Sequence, residues 1–454
     1  MKMEVQIISK ECIKPSSPTP HHLRNHKLSL LDLYIPPFYI PLVVYYPVNQ
    51  DTSLSPNDID HIVSIRLQML KQSLSETLSL FYPFSGKTKD FLSIECDDKG
   101  AYFVRARVES PLDDFLNHPD NVLTTKFLPD GGKWGSEPPF ENYVAGIQVT
   151  TFACGGIAIG VCVSHMVADG TGFSSFIKSW AAATARKNIE KAMHPKFNAS
   201  SLFPQNPAYT REVCTSTVFT SHIKFEKFVT RRFVFDASAI ANLKAKATSS
   251  NVQNPSRVQA VTALLGKCIM LILKGRSGNS NKPFLLNHAV NLRRRVTPPF
   301  SDVYDIGNFV WMASVLCDNY EAELHGLVSQ LREEISKLNG DLVNSLQGDG
   351  GLLKFLKAVK DETETCTSAA DNIVFSSWCN FGFYDIDFGW GKPAWASIYG
   401  VDKLGYSGNL IMLMDTRVGN GIEAWVYLGE EDMATLLLDK QLLEYASIDP
   451  SPFK

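Results

Sequence analysis

The sequence predicts an α+β protein of two domains similar in size, and three observations carry that prediction. Strand-like and helix-like periodicities mix in both halves, with no short repeat. A length of 454 residues suggests two or three domains with ample core. Near the middle, "HPKFNASSLFPQNPAYTREVCTSTVF" is polar and proline-bearing, and periodicity is lost from about His194 to Lys227. The chain therefore divides into an N-terminal domain over 1–200, a crossover over 201–227 and a C-terminal domain over 228–454.

The elements follow in order. "FYIPLVVYYP" is strand-like, and Leu67, Leu70, Leu74, Leu78 and Phe81 make a helical stripe that Pro83 ends. "YVAGIQVTTFA", a Gly155-Gly156 turn and "IAIGVCVS" read as a hairpin. In its second strand Ile157, Ile159, Val161 and Val163 share one face, while Gly156, Ala158, Gly160 and Cys162 share the other. So small a face lets something else approach closely. Downstream, Phe173, Phe176, Ile177, Trp180 and Ala181 recur at helical spacing, with Asp169 or Thr171 as cap. His165 thus sits on a strand-to-helix turn, where rigid scaffolds commonly present functional groups.

The second half restarts with "RRFVFD" as a strand and Asp236 capping a helix that bears Ile240 and Leu243. Ser256 and Gln259 form a capping box that opens an apolar helix through Leu271. Leu324, Leu327, Leu331, Ile335 and Leu338 mark another helix, expected to stop at Gly340. "NLIMLMDTR" and "GIEAWVYL" read as paired strands before a final helix from about Glu431.

Composition narrows the function. Hydrophobic residues make up 44% and charged residues 20%; 44 Lys+Arg face 47 Asp+Glu for a net charge of −3. No basic stripe points to nucleic acid, and "NLRRRV" is too short to be one. Nine cysteines without a C-x-x-C pair fit a reduced intracellular protein. The N-terminus lacks the apolar core of a signal peptide, so the sequon at Asn198 reads as chance. The long uncharged stretch from Asn142 carries Gln148, Thr150 and Thr151, unlike a membrane helix. The sequence reads as a cytoplasmic protein without a membrane or nucleic-acid partner.

For chemistry, His165 is the leading candidate, since an exposed imidazole with a reference pKa of about 6.5 can serve as general base. A histidine is also often structural. A metal reading of His165 with Asp169 lacks the further ligands it needs, so no metal site is expected. "GYSGN" resembles a G-x-S-x-G elbow without its final glycine, and "DFGWG" stands without the other parts of a kinase.

The motifs taken together go further. H-x-x-x-D-G at 165–170 followed by D-F-G-W-G at 387–391 resembles the plant BAHD acyl-CoA-dependent acyltransferases. "LFYPFSGK", "CGGIAIGVCVSH", "NLRRRVTPP" with "IGN", and "SSWCNFGFYDIDFGWGKP" are similar to the family's segments in the same order, across nearly the whole chain. The resemblance implies two chloramphenicol-acetyltransferase-like domains, mixed sheets flanked by helices, with a channel at their interface. The small strand face would leave room for that channel. His165 would be the general base, deprotonating an acceptor hydroxyl that attacks the thioester directly. Asp169 would support the His turn by pairing with Arg293 rather than act in a dyad, and Gly170 would belong to the same turn. Asp387 is read as structural or as a second proton acceptor, and Gly389, Trp390 and Gly391 as structural. Trp378 is read as an oxyanion donor or a core tryptophan. Ser376 and Ser377 would lie near the coenzyme A arm, and Ser256 and Arg257 near its phosphates.

Where anthocyanin malonyltransferases of the family carry Tyr-Phe-Gly-Asn-Cys, this chain has "DIGNFV". "ISKECIKPSSPTP" and "HKLSLLD" look like the vinorine synthase-like branch acetylating alkaloid and terpenoid alcohols, although Met166-Val167 replace that branch's Lys-Ile. The implied function is O-acetyl transfer from acetyl-CoA, as co-substrate and not bound cofactor, to such an alcohol by a monomer. Malonyl or aromatic acyl transfer to a glycoside or phenolic, and a non-catalytic acyl-CoA binder, are the alternatives.

Overall fold

The computed structural model describes residues 3–35, 37–48, 55–90, 92–132, 143–186, 194–206, 227–277, 283–296, 300, 304–317, 323–348, 350–368, 371–398 and 408–453. Residues 207–226 of the expected crossover, and Gly405–Ser407 of "GYSGN", lie outside them.

The fold is α+β, with two large mixed sheets. The first runs β1 (Gln6–Ile13), β6 (Ala101–Val108), β7 (Ala145–Phe152), β8 (Ile157–Ser164), β3 (Tyr39–Tyr46) and β13 (Trp395–Ser397). The second runs β11 (Val310–Cys317), β10 (Phe284–Asn291), β12 (Asp371–Ser377), β14 (Leu410–Asp415), β15 (Ile422–Gly429), β9 (Phe228–Phe235) and β16 (Ser447–Ile448). A small sheet joins β2 (Asn25–Lys27), β5 (Ser93–Glu95) and β4 (Lys87–Asp90). Parallel pairs occur at β6–β7, β10–β12 and β12–β14.

The helices labelled here are α1 (Leu30–Tyr34), α2 (Pro56–Leu80), α3 (Gly170–Thr184), α4 (Ala237–Lys246), α5 (Arg257–Ser277), α6 (Leu324–Lys337), α7 (Gly340–Ser345), α8 (Gly351–Ser368), α9 (Glu430–Leu436) and α10 (Lys440–Leu443). Side-chain caps start several of them: the Ser55–Asp58 box opens α2, Asp236 caps α4, and Ser256 with Gln259 opens α5. By length and composition α5 could cross a membrane. Its apolar residues Val261, Leu264, Leu265 and Ile269 are instead buried in the core over the second sheet.

Three sequence expectations change. Gly340 begins α7 instead of ending α6, because the Asn339 side chain accepts from the Leu342 N–H at 3.1 Å and caps a new turn. The helix expected near Glu431 is α9, and α10 and β16 follow it. The small face of β8 does not border a channel. The backbone of the Leu123–Phe127 turn lies against Gly160, where any Cβ would collide with the Phe127 carbonyl. Gln148, opposite Gly160 on β7, donates to the Lys126 carbonyl at 2.8 Å and holds that turn in place. The small residues seat a turn.

The two sheets are joined through β13, which comes from the C-terminal half yet pairs antiparallel with β3. Trp395 on β13 stacks on Trp425 of β15, and the Arg232 guanidinium lies 4.8 Å from the Trp395 ring centre. Arg232 in turn pairs with the buried Glu423 at 2.9 Å, which also accepts from the Tyr384 hydroxyl.

Two buried histidines give the fold an acid limit. Burial pulls His26 and His288 down to about 4. The unfolded chain binds their protons near the ordinary 6.5, so between about 6.5 and 4 it holds more protons than the folded one. Stability is therefore expected to fall as pH drops through that window. Urea unfolding at stepped pH checks it, and His288→Phe should flatten the slope.

Candidate active site

The His165 turn is built from backbone and caps. After β8 ends at Ser164, the Val167 N–H donates to the Ser164 carbonyl at 3.2 Å and the chain reverses. Met166, Val167 and Ala168 are buried, which anchors the turn. Asp169 then caps α3, its Oδ1 accepting from the Gly172 N–H at 2.9 Å.

The same carboxylate does more than cap. Arg293 Nη1 lies 2.6 Å from Asp169 Oδ2, and Nη2 lies 3.1 Å from Oδ1. Both side chains are buried, Arg293 completely. Its guanidinium also donates to the Asp305 and Gly307 carbonyls and lies 4.5 Å from the Phe309 ring centre. The Phe309 N–H reaches Asp169 Oδ2 at 3.1 Å. Asp169 is thereby turned away from His165 and fixed to the second half.

His165 itself is half-buried. Its N–H donates to the Phe38 carbonyl at 2.8 Å, and the Phe38 ring meets the imidazole edge-on. Its Nδ1 lies 2.9 Å from Asn308 Oδ1. The Asn308 amide nitrogen donates to the His165 carbonyl at 2.7 Å and to Asp32 Oδ1 at 2.8 Å. Those acceptors orient the amide so that its oxygen faces Nδ1. Nδ1 therefore carries the proton, and the ring's lone pair is on Nε2. Asp32 is buried at the start of α1, where Ser29 donates to it through Oγ at 2.6 Å and N–H at 2.7 Å. Burial pushes the Asp32 carboxyl up, against the hydrogen bonds of Ser29 and Asn308 that lower it.

A cavity of about 1230 Å³, counting the space open to solvent, lies between the sheets. His165, Asp169, Gly170, Ser376, Ser377 and Trp378 line it. Most of the remaining wall is apolar, including Ile35, Phe38, Val310, Met312, Val374 and Leu410. Trp378 is 6% exposed and turns its indole nitrogen toward Gly170. A Cβ at Gly170 would lie 3.0 Å from that nitrogen and 2.7 Å from the Phe381 ring, so only glycine lets Trp378 come this close.

The other predicted residues lie off the cavity. Arg257 donates to Asp415 at 2.8 Å and to the Gly421 carbonyl, at the start of α5, with Ser256 in its cap. Asp387 Oδ1 accepts from the Gly389 and Gly391 N–H groups, and both glycines hold positive φ. Phe388 packs on Trp180 and stacks on Trp390. Gly389 abuts Ala185, just past the end of α3. The 15 residues of α3 separate that loop from the His165 turn by about 22 Å. Of the two readings of Asp387, structural or second proton acceptor, its place in this loop at the far end of α3 favours the structural one. Among the described residues no group of three His, Cys, Asp or Glu could hold a metal.

Sequence reasoning missed Asn308 and Asp32. Asn308 stands in "IGN", where only the family resemblance was read. Ser29-x-x-Asp32 carried a visible signal, a capping box, but one that speaks only of a helix start.

The family model described as "Transferase family" matches residues 3–443. A protein of Citrus sinensis named as a limonoid 7-O-acetyltransferase is 55% identical, over 99% of this chain and 100% of its own. An epi-neemfruitin B 7-O-acetyltransferase of Melia azedarach is 54% identical over the same shares. The crystal structure of vinorine synthase aligns with a TM-score of 0.81 at 31% identity, over 99% of this chain and 100% of that one.

Proposed function

We propose that this chain, which belongs to the Transferase family of BAHD acyltransferases, transfers an acetyl group from acetyl-CoA to a hydroxyl of a terpenoid alcohol of the limonoid type. The observation that carries this reading is an imidazole with a fixed tautomer facing a large apolar cavity between the two sheets. The names of relatives at 54–55% identity supply the acceptor class and the acetyl group.

In this mechanism His165 Nε2 takes the proton of the acceptor hydroxyl as its oxygen attacks the thioester carbon. The C–O bond forms, and the carbonyl electrons move onto oxygen as an oxyanion. Trp378, its indole N–H at the cavity wall, is placed to donate to that oxyanion. The oxyanion collapses, the C–S bond breaks, and the departing thiolate takes the proton from His165. Asn308 holds Nδ1–H throughout, and Asp32 holds Asn308. Asp169 and Arg293 keep the turn in place without touching the reactants. Ser376 and Ser377 line the cavity beside Trp378, and Ser256 with Arg257, off the cavity at the start of α5, stays the proposed neighbour of the coenzyme A phosphates. Placing both substrates in one cavity supplies much of the remaining acceleration.

The test is direct. Purified protein with acetyl-CoA and a 7-hydroxylimonoid should release free coenzyme A and form the acetate ester in equal amounts. If acetyl-CoA stabilises the protein against heat but no terpenoid alcohol is acetylated, the protein is a binder and the reading fails. Ligand at a hundredfold excess over its Kd adds about 2.7 kcal/mol, enough to see in a melting curve.

A finer prediction concerns Asn308. Asn308→Ala removes one hydrogen bond to the imidazole, and kcat is expected to fall about tenfold, as one such bond in a catalytic group is worth about 1–1.5 kcal/mol. KM for acetyl-CoA should stay unchanged. Steady-state kinetics with both substrates varied reads the split.

A further inference from the structure

The hydrogen bonds behind His165 continue past Asn308 to a carboxyl. Asn308 gives Asp32 Oδ1 two donors, its side-chain nitrogen at 2.8 Å and its backbone N–H at 2.9 Å. Ser29 gives Oδ2 two more, through its backbone N–H and its hydroxyl. Asp32 is only 2% exposed. Burial opposes a charge there, and the donors of Ser29 and Asn308 act against that opposition. Two of the four are backbone N–H groups, which can only donate and so favour the ionised form. A helix start needs less than this: the contacts between Ser29 and Asp32 already complete the capping box of α1, and those to Asn308 lie outside it.

The other charges near the imidazole leave Asp32 in a distinct position. Asp169 and Arg293 form a buried pair whose charges cancel. Asp305, also buried, meets Arg293 through its backbone carbonyl. Glu362 of α8 accepts from the Tyr34 hydroxyl, and burial pushes its carboxyl up to about 7. Tyr39 walls the cavity, and burial pushes its hydroxyl up, which keeps it neutral. Asp32, by contrast, is joined to His165 by continuous hydrogen bonds: Nδ1–H to Asn308 Oδ1, then Asn308 Nδ2–H to Asp32 Oδ1.

An amide bonded in this way is polarised. A negative charge at its N–H end makes its oxygen a better acceptor, and in a buried site that effect is little screened. The gain is largest when the ring turns positive, so it favours the transition state over the resting enzyme.

Resting on the acetyl-transfer reading, we propose that Asp32 is an ionised positioning residue that acts through Asn308 to stabilise the imidazolium His165 forms as it takes the proton of the acceptor hydroxyl. No proton travels along the relay. Nδ1 keeps its hydrogen, the amide keeps both of its own, and the proton taken by Nε2 leaves with the thiolate. The charge of Asp32 makes Nε2 a stronger base than a half-buried imidazole would be by itself.

The test is the pH profile of Asp32→Asn, which keeps the side-chain shape and removes the charge. With acetyl-CoA saturating and a 7-hydroxylimonoid varied, the acid limb of kcat/KM reports protonation of the base before the alcohol binds. In the variant that limb should move about one unit to lower pH, because the imidazolium has lost its anion. The plateau should fall about tenfold, the equivalent of one such unit. KM for acetyl-CoA should stay unchanged. A plateau that falls while the limb stays in place would make Asp32 a prop for Asn308 and overturn the proposal. An unchanged profile would show Asp32 to be uncharged and overturn it too. Should Asp32→Asn fail to fold, the wild-type limb decides. Burial by itself places an imidazole below about 6.5, so a limb at or above that value supports the relay and one below it overturns the relay. Turnover of no terpenoid alcohol by wild type is a different failure, that of the acetyl-transfer reading itself, and the inference falls with it.

Discussion

Exchange of His165 for alanine is expected to lower kcat by roughly 10²–10⁴-fold, while coenzyme A still raises the melting temperature of the variant. The imidazole is half-buried at the cavity wall, and its turn is held by groups other than the ring: the Phe38 carbonyl, the Asp169 cap and the Asn308 amide on the His165 carbonyl. Removing the ring takes away the proton acceptor and little of the scaffold. Single-turnover kinetics beside a thermal-shift titration separates the two effects. Turnover near the wild-type rate would place the base elsewhere, and loss of coenzyme A binding would make His165 a structural residue.

The largest expected loss of stability belongs to Arg293→Ala. It strips the partner from a carboxylate that is 3% exposed and leaves the charge buried. Breaking a buried pair from one side costs about 3–5 kcal/mol. Here the Asp305 and Gly307 carbonyls also lose their donor. Denaturant unfolding should show the loss, and activity should fall with it because Asp169 caps the helix behind the His165 turn. Arg293→Lys should recover only part, since a lysine cannot bond both carboxylate oxygens and two carbonyls from one plane. If Arg293→Ala unfolded like wild type, the pair would have no hold on the turn.

Much of this was legible in the sequence because it is local. The strand-to-helix switch after Ser164 shows as a change of period, and Asp169, Asp236 and Ser256 announce helix starts with their own side chains. The family resemblance added Arg293 as the partner of Asp169, a contact that spans 124 residues. Other parts depend on what comes near, which no local pattern encodes. Asn308 meets His165 across 143 residues and Asp32 across 276. The small face of β8 correctly announced a close approach, but could not say whether a ligand or a backbone turn would make it. Gly340 looked like a stop because glycine often ends helices; Asn339 before it turned the same residue into a start.

The pairing of β13 with β3 has a consequence for how the protein is made. The two strands are separated by about 350 residues, so the outer edge of the first sheet at β3 cannot close until almost the whole chain has left the ribosome. Until then β3, with its tyrosines and branched residues, is an open sheet edge during synthesis. Contacts so distant along the chain slow folding, and an N-terminal half expressed alone would keep that edge exposed for good. Yield should accordingly depend on chaperone supply and growth temperature more than on the measured stability of the finished protein.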